Sequence, residues 1–198
     1  MGKKCKNLYK KVLNILKKVQ GYNVKLDKIA HPICDEMIEK VTGKQVREQN
    51  MKEEEFWRWI KKAHLIEFQK YSYPHKKSLE FFFSAHLLEI KQSDVVLDAA
   101  GGESDYLKAV KNIFRTVKLI LQDHIYNGQM EKNGILIVNG DISEIPLPEQ
   151  SVDKIACHHA FEQFQGDKDR LFIKEISRLL RPEGKAVIIP LFIGEKYI

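Results

Sequence analysis

Up to residue 90 the apolar positions recur with helical spacing, and from Asp94 onward they gather into short unbroken runs. Over 3–20, Leu8, Val12, Ile15 and Val19 share one face of an amphipathic helix, with Leu16 beside them. Gly21 ends that helix and Asp27 suits a cap for the next segment. His31-Pro32 then opens a helix carrying Cys34, Met37, Ile38 and Val41 as far as Thr42-Gly43. A stretch over 52–69 puts Phe56, Trp59, Ile60, Ala63 and Ile66 on one stripe. Pro74 breaks the chain, and 77–90 reads as another amphipathic helix. Residues 1–90 are therefore predicted to be essentially all helix.

The second pattern starts with Val95-Val96-Leu97, a continuous apolar run suited to a strand buried on both faces. A helix is expected over about 104–114, then strands over 117–121, 135–138 and 154–157. A helix over 168–180 follows, with Leu171, Phe172, Ile176, Leu179 and Leu180 as its apolar positions. Arg181-Pro182-Glu183-Gly184 makes a turn into a fifth strand over 186–189. Strands alternating with helices predict an α/β fold, a doubly wound and mostly parallel sheet with helices on both faces. The organisation expected is an all-helical N-terminal extension over 1–76 and an α/β domain over 77–198.

Charge sharpens the division. The chain of 198 residues has a net charge of +6. Through residue 92 there are 20 Lys and Arg against 11 Asp and Glu, and after it 13 against 16. The basic character belongs to the front half, so the overall charge is no general nucleic-acid signature. Seven lysines and no acid lie within 3–20. The plainer reading is a solvated lysine face on a packed helix, and the other is peripheral contact with an anionic surface, phospholipid or nucleic acid. No apolar run reaches the length of a bilayer span and no signal-peptide core follows the basic start, which leads to an expectation of a cytoplasmic protein. Cys5, Cys34 and Cys157 are scattered without a CxxC pair, and His31-x-x-Cys34 has no visible partners, so neither a disulfide framework nor a metal site is expected.

A parallel sheet binds ligands beyond the carboxyl ends of its strands, near the switch in strand order. After the first run comes Asp98-Ala99-Ala100-Gly101-Gly102, whose small residues let the backbone approach a ligand closely. After the second comes Asp123, 21 positions beyond Gly102, the spacing at which an acid accepts bonds from ribose hydroxyls. Gly140-Asp141-Ile142 follows the third run and His158-His159 the fourth. Taken singly, Asp98 also reads as a helix cap, Asp123 as a loop acid and Asp141 as a turn residue.

Together these motifs have a family pattern. The stretch from Val95 to Ile189 resembles the type 11 family of class I S-adenosylmethionine-dependent methyltransferases, whose fold is Rossmann-like. The likeness is densest in Gly140-Asp141-Ile142-Ser143-Glu144-Ile145-Pro146-Leu147-Pro148-Glu149-Gln150-Ser151-Val152-Asp153. It continues through Cys157-His158-His159-Ala160-Phe161-Glu162-Gln163-Phe164 and closes on Glu175-Ile176-Ser177-Arg178-Leu179-Leu180-Arg181-Pro182-Glu183-Gly184-Lys185.

The resemblance implies S-adenosyl-L-methionine as cofactor. Asp98 and the backbone of Ala100, Gly101 and Gly102 would hold its methionine part, and Asp123 its ribose hydroxyls. Asp141 would accept from the adenine amino group, the Ile142 amide would reach a ring nitrogen, and the backbone around His158 would lie near the reactive methyl. Ala100 and Ser104 stand where the family pattern has glycine, and Glu183 replaces the first glycine of the last turn. At Ala100 the added methyl disfavours positive φ.

The sulfonium activates the methyl group, so the protein chiefly has to align the acceptor and exclude water. An oxygen acceptor also calls for a base, for which His158 and His159 are the candidates. The favoured acceptor is a small molecule such as a sugar, lipid or other metabolite, met by the helical appendage with Trp57, Trp59, Tyr71 and Tyr73. Phe81-Phe82-Phe83 is expected to be mostly core. The alternatives are an RNA or protein methyltransferase docking through its basic helices, and an inactive binding module that kept the fold. The family sheet continues past the fifth strand, whereas this sequence stops at Ile198. The expectation is an incomplete sheet, or an edge covered by a partner chain, a second copy or the N-terminal helices.

Overall fold

The computed structural model describes residues 52–64, 74–103 and 105–189. The expected helices over 3–20 and from His31, the His31/Cys34 pair, Tyr71, Tyr73, Ser104 and the tail beyond Ile189 lie outside the described residues. Phe56–Leu191 clusters as one compact unit. Helix α1 (Glu53–Ala63) buries Phe56, Ile60 and Ala63 on one face. It is described to Ala63, where His64 takes a left-handed φ of 55°, and the rest of the expected stretch to 69 lies outside the described residues. Helix α2 (Pro74–Leu88) begins on the proline, which suits the first helical position because that residue's N–H has no partner there anyway.

A six-stranded sheet follows, in the order β3-β4-β2-β1-β5-β6. Its strands are β1 (Val95–Ala99), β2 (Lys118–Gln122), β3 (Gln129–Lys132), β4 (Ile135–Val138), β5 (Val152–His158) and β6 (Leu180–Ile189). All neighbours pair in parallel except β3 with β4. Helix α3 (Tyr106–Ile113) crosses from β1 to β2, and α4 (Lys168–Leu179) crosses from β5 to β6. The Rossmann-like α/β architecture is thus as expected. The chain builds outward from β1 through β2 to β4 and then returns to the other side of β1 with β5, so the switch in strand order falls between β1 and β5.

Strand β3 escapes the hydrophobic pattern because all four of its residues are exposed. Its signal is the turn that follows: Asn133 and Gly134 both have positive φ, 55° and 68°, as a two-residue type I′ hairpin requires. The expected turn over Arg181–Gly184 is a bulge inside β6. Val152 pairs with Leu180 before it and Lys154 with Lys185 after it, so the strand resumes its register across the extra residues. Among the described residues β6 pairs only with β5.

The core lies between the sheet and α4, where Leu97, Ile120, Val138, Ile155 and Cys157 meet Phe172, Ile176 and Leu179. Leu171, expected in the apolar stripe, is 40% exposed, since only the Phe172, Glu175, Ile176 and Leu179 face turns inward. Leu180 leaves the helix in an extended conformation and starts β6.

Glu175 is the one acid on the buried face of α4. Its carboxylate accepts the Ile145 amide at 2.8 Å and both Nε and Nη2 of Arg178 at 2.9 and 2.6 Å. The guanidinium also donates to the Leu147 and Ile145 carbonyls, at 2.8 and 2.9 Å. A buried carboxylate and a fork of five donors thus staple the Ile145–Leu147 segment, which follows β4, onto α4. Arg178→Ala leaves that carboxylate uncompensated and should cost about 2–3 kcal/mol in urea unfolding. Arg178→Lys should recover little of it, because an ammonium cannot reproduce the fork.

Candidate cofactor and active site

Every motif singled out at a strand end lies on the same edge of the sheet, at the carboxyl ends of β1, β2, β4 and β5. The turn after β1 is the tightest. Ala100 and Gly102 both adopt left-handed φ, 51° and 53°. A Cβ on Gly101 would come within 2.5 Å of the Leu121 side chain and 2.7 Å of an Asp98 carboxylate oxygen, so only glycine fits there. The methyl of Ala100 is tolerated at a cost of about 1–2 kcal/mol, the usual penalty for an L-residue in this region.

Three interactions hold the turn. The Gly102 amide donates to Asp123 Oδ2 at 2.9 Å, the Gly101 amide to the Gln122 carbonyl at 3.1 Å, and the Ala100 amide to Gln122 Oε1 at 3.1 Å. Asp123 is nearly buried, and its other oxygen accepts the Ile125 amide and lies 3.1 Å from His124 Nδ1. Tyr126 donates its hydroxyl to the Gly102 carbonyl. Burial raises its phenol pKa, and the negative charges of Asp123, Glu103 and Asp98 add to the rise.

Asp98 has no solvent exposure. His158, at the end of β5, turns Nδ1 toward Asp98 Oδ1 at 3.4 Å, and its side chain is only 3% exposed. Its ring packs against Tyr106 at 4.6 Å and Phe81 at 5.2 Å between centroids. The Tyr106 hydroxyl accepts from Ser84 at 3.2 Å. Burial pushes that phenol far above its ordinary value, opposed by the Ser84 bond and assisted by the Asp98 charge. His158 Nε2 is buried with no hydrogen-bond partner among the described residues.

His159 points elsewhere. Its Nε2 meets Glu80 on α2 and its Nδ1 lies 3.8 Å from Glu162, while its own φ of 52° turns the chain away from the strand. Asp141 is exposed at the end of β4. Its carboxylate is held well below the usual range by Lys168 first and then by the hydroxyl and amide of Ser143. Ile142 is buried in the core beside it. Of the two tryptophans, Trp59 packs edge-on against the buried Phe82 at 5.8 Å and is itself half-buried.

The structure therefore brings together Asp98 and His158, and separately Gly102 and Asp123, while His159 and Asp141 face other partners. Sequence reasoning missed Gln122, Tyr106 and Ser84. Gln122 had a signal, a polar residue closing the apolar run Leu119-Ile120-Leu121. Tyr106 and Ser84 had none, because their role appears only when α2 and α3 pack over β5.

Comparison with known proteins bears on this edge of the sheet. Residues 97–188 match a family model described as a methyltransferase domain. No curated protein matches the chain. Among solved structures it is similar to the YcgJ protein of Bacillus subtilis, at 19% identity over 56% of this chain and 49% of that one, with a TM-score of 0.46. It is also similar to a SAM-dependent methyltransferase of Aquifex aeolicus, at 18% identity over 70% and 72% of the two chains and a TM-score of 0.42. A third is CalO1, a methyltransferase in calicheamicin biosynthesis in its SAH-bound form, at 15% identity over 64% and 40% and a TM-score of 0.45. The chain spans about half the length of YcgJ and less of CalO1. S-adenosylmethionine is the cofactor of this family. At Gly101 a side chain would collide with Leu121 and Asp98, so the backbone of this turn stays bare, as close approach to a ligand of that kind requires. No described helix is long and apolar enough to cross a membrane.

This geometry has measurable consequences for stability and reactivity. Ala100→Gly removes the left-handed penalty but returns about 0.4–1 kcal/mol through the freer unfolded chain, so a net gain of about 1 kcal/mol should appear in urea unfolding. Cys157 is buried beneath the site, and burial, with the Asp98 charge adding to it, pushes its thiol from 9.0 up to about 12. Between those values the unfolded chain has lost a proton that the native chain keeps, so stability should fall as pH rises from 9 toward 12. In a Cys5→Ser, Cys34→Ser background, a thiol reagent at pH 8 should label Cys157 only at the rate of unfolding.

Proposed function

We propose that the chain transfers the methyl group of S-adenosylmethionine to an oxygen of a small-molecule acceptor held against His158. The observation that carries this reading is the buried His158, with Nδ1 turned to the Asp98 carboxylate and Nε2 unpartnered among the described residues. A carboxylate facing Nδ1 favours the tautomer with its proton there, which leaves a lone pair on Nε2. That nitrogen is enclosed by Phe81 and Tyr106 with no open path to it, so an acceptor has to displace one of those rings, which a small molecule does more readily than a polymer.

Bound S-adenosylmethionine supplies an electrophilic methyl group on a sulfonium. The Ala100–Gly102 turn and Asp98 would hold its methionine part, Asp123 its ribose hydroxyls, and Asp141 with the Ile142 amide its adenine. Lys168 and Ser143 already engage Asp141, so that contact would share or replace existing bonds. His158 Nε2 would accept the proton of the acceptor hydroxyl as the methyl passes to that oxygen, its bond to sulfur breaks and S-adenosylhomocysteine leaves. Asp98 stabilises the resulting imidazolium, as the buried acid does in other acid–histidine pairs. Methyl transfer in line needs the reacting atoms aligned and water excluded, and the burial of Asp98 and His158 favours both.

Calorimetric titration with S-adenosylhomocysteine should show one site of about micromolar affinity. No heat together with no thermal shift would contradict the reading. Against a panel of small hydroxylated acceptors, His158→Gln should lower transfer about 10²–10⁴-fold, the range for removal of a general base, while product binding stays within about threefold. Salt-dependent RNA binding with transfer to RNA would instead favour a nucleic-acid acceptor.

A further inference from the structure

We infer that Gln122 is a positioning residue for the cofactor site, tying the turn after β1 to the turn after β4 and holding Ala100 in its left-handed conformation. The inference rests on the cofactor reading above. Gln122 ends β2 next to Asp123 and is 1% exposed. Its side-chain oxygen accepts the Ala100 amide at 3.1 Å, and its side-chain nitrogen donates to the Gly140 carbonyl at 2.7 Å. Its backbone carbonyl accepts the Gly101 amide at 3.1 Å.

One buried amide thus bridges two segments assigned to opposite ends of the cofactor. On one side is the turn that would hold the methionine part. On the other is Gly140, the residue before Asp141, which would meet the adenine. The bond to Ala100 answers a particular need. An alanine at φ 51° tends to relax toward negative φ, and relaxation would swing its amide away from the Gln122 oxygen. A glycine at the same place has no such tendency. The side chain therefore matters most when residue 100 carries a Cβ. A hydrophobic residue of the same length would fill the space, yet leave the Ala100 amide and the Gly140 carbonyl without this partner.

The test is Gln122→Met, which keeps length and volume, made both in the natural sequence and together with Ala100→Gly. In the cofactor-free protein, hydrogen exchange of the residue 100 amide should be slow in the natural sequence and about fivefold faster in the Gln122→Met variant, a factor taken from the net worth of one hydrogen bond. S-adenosylhomocysteine affinity should weaken about tenfold when Gln122→Met is made alone, or about 1.4 kcal/mol. In the Ala100→Gly background the same change should weaken it less than about threefold, since glycine needs no such hold. The KM for S-adenosylmethionine should rise by the same factor as the affinity falls, with kcat within about twofold, which general loss of stability would not produce. If Gln122→Met fails to fold, Gln122→Glu keeps the acceptor for Ala100 and loses the donor to Gly140. It should retain slow exchange at residue 100 and weaken product binding less than about threefold, as Gln122→Met does beside Ala100→Gly. Unchanged exchange and affinity, or equal weakening with and without Ala100→Gly, would overturn the positioning role. Changed exchange in a protein whose natural sequence does not bind S-adenosylhomocysteine would instead overturn the cofactor reading, and with it any role for Gln122 in binding.

Discussion

Asp98 sits at the C-terminal end of β1 with no solvent exposure, and a carboxylate in that position must be answered by the residues around it. His158 answers it from β5, which is why the two strands flanking the switch point have to pair in register, Asp98 opposite Ala156 and His158 two residues further on. The charge also reaches outward. It adds to the upward shifts of the Tyr106 phenol and the Cys157 thiol, keeping both neutral. Phe81, Tyr106 and the histidine ring then close over the pair. His158 thus answers the buried acid with one ring nitrogen, and the other has no hydrogen-bond partner among the described residues.

A second constraint lies in the turn. Three consecutive amides, from Ala100 to Gly102, are each bonded to β2 or the residue just beyond it, through the Gln122 side chain, the Gln122 carbonyl and the Asp123 carboxylate. Such a turn is stiff. Gly101 is fixed by space and Gly102 by its φ, but Ala100 is held against its own preference. The clamp of Glu175 and Arg178 does similar work at a distance, holding the loop beyond β4 to α4 so that Asp141 and Ile142 keep their place at the sheet edge.

Much of this was legible before the structure. The apolar runs located β1, β2, β4 and β5, because strands buried on both faces leave nothing polar to confuse the pattern. Strand β3 was not legible from hydrophobicity, since an exposed edge hairpin has no apolar face, though Asn133-Gly134 was written in the sequence. The acids Asp98, Asp123 and Asp141 were found by their position after strands. Which of them is buried was not, because burial depends on the helices laid over the sheet. The adjacent His158 and His159 show the limit most clearly. Strand geometry says that neighbouring side chains diverge, but only the packing of α2 shows that Glu80 takes one ring and Asp98 the other.

The chemistry of the site depends on the state of one imidazole, and ¹⁵N chemical shifts of the His158 ring, with and without saturating S-adenosylhomocysteine, test it most directly. The prediction is a neutral ring protonated on Nδ1, with the Nε2 resonance moving when the product binds. A ring protonated on Nε2, with shifts unmoved at saturation, would contradict it.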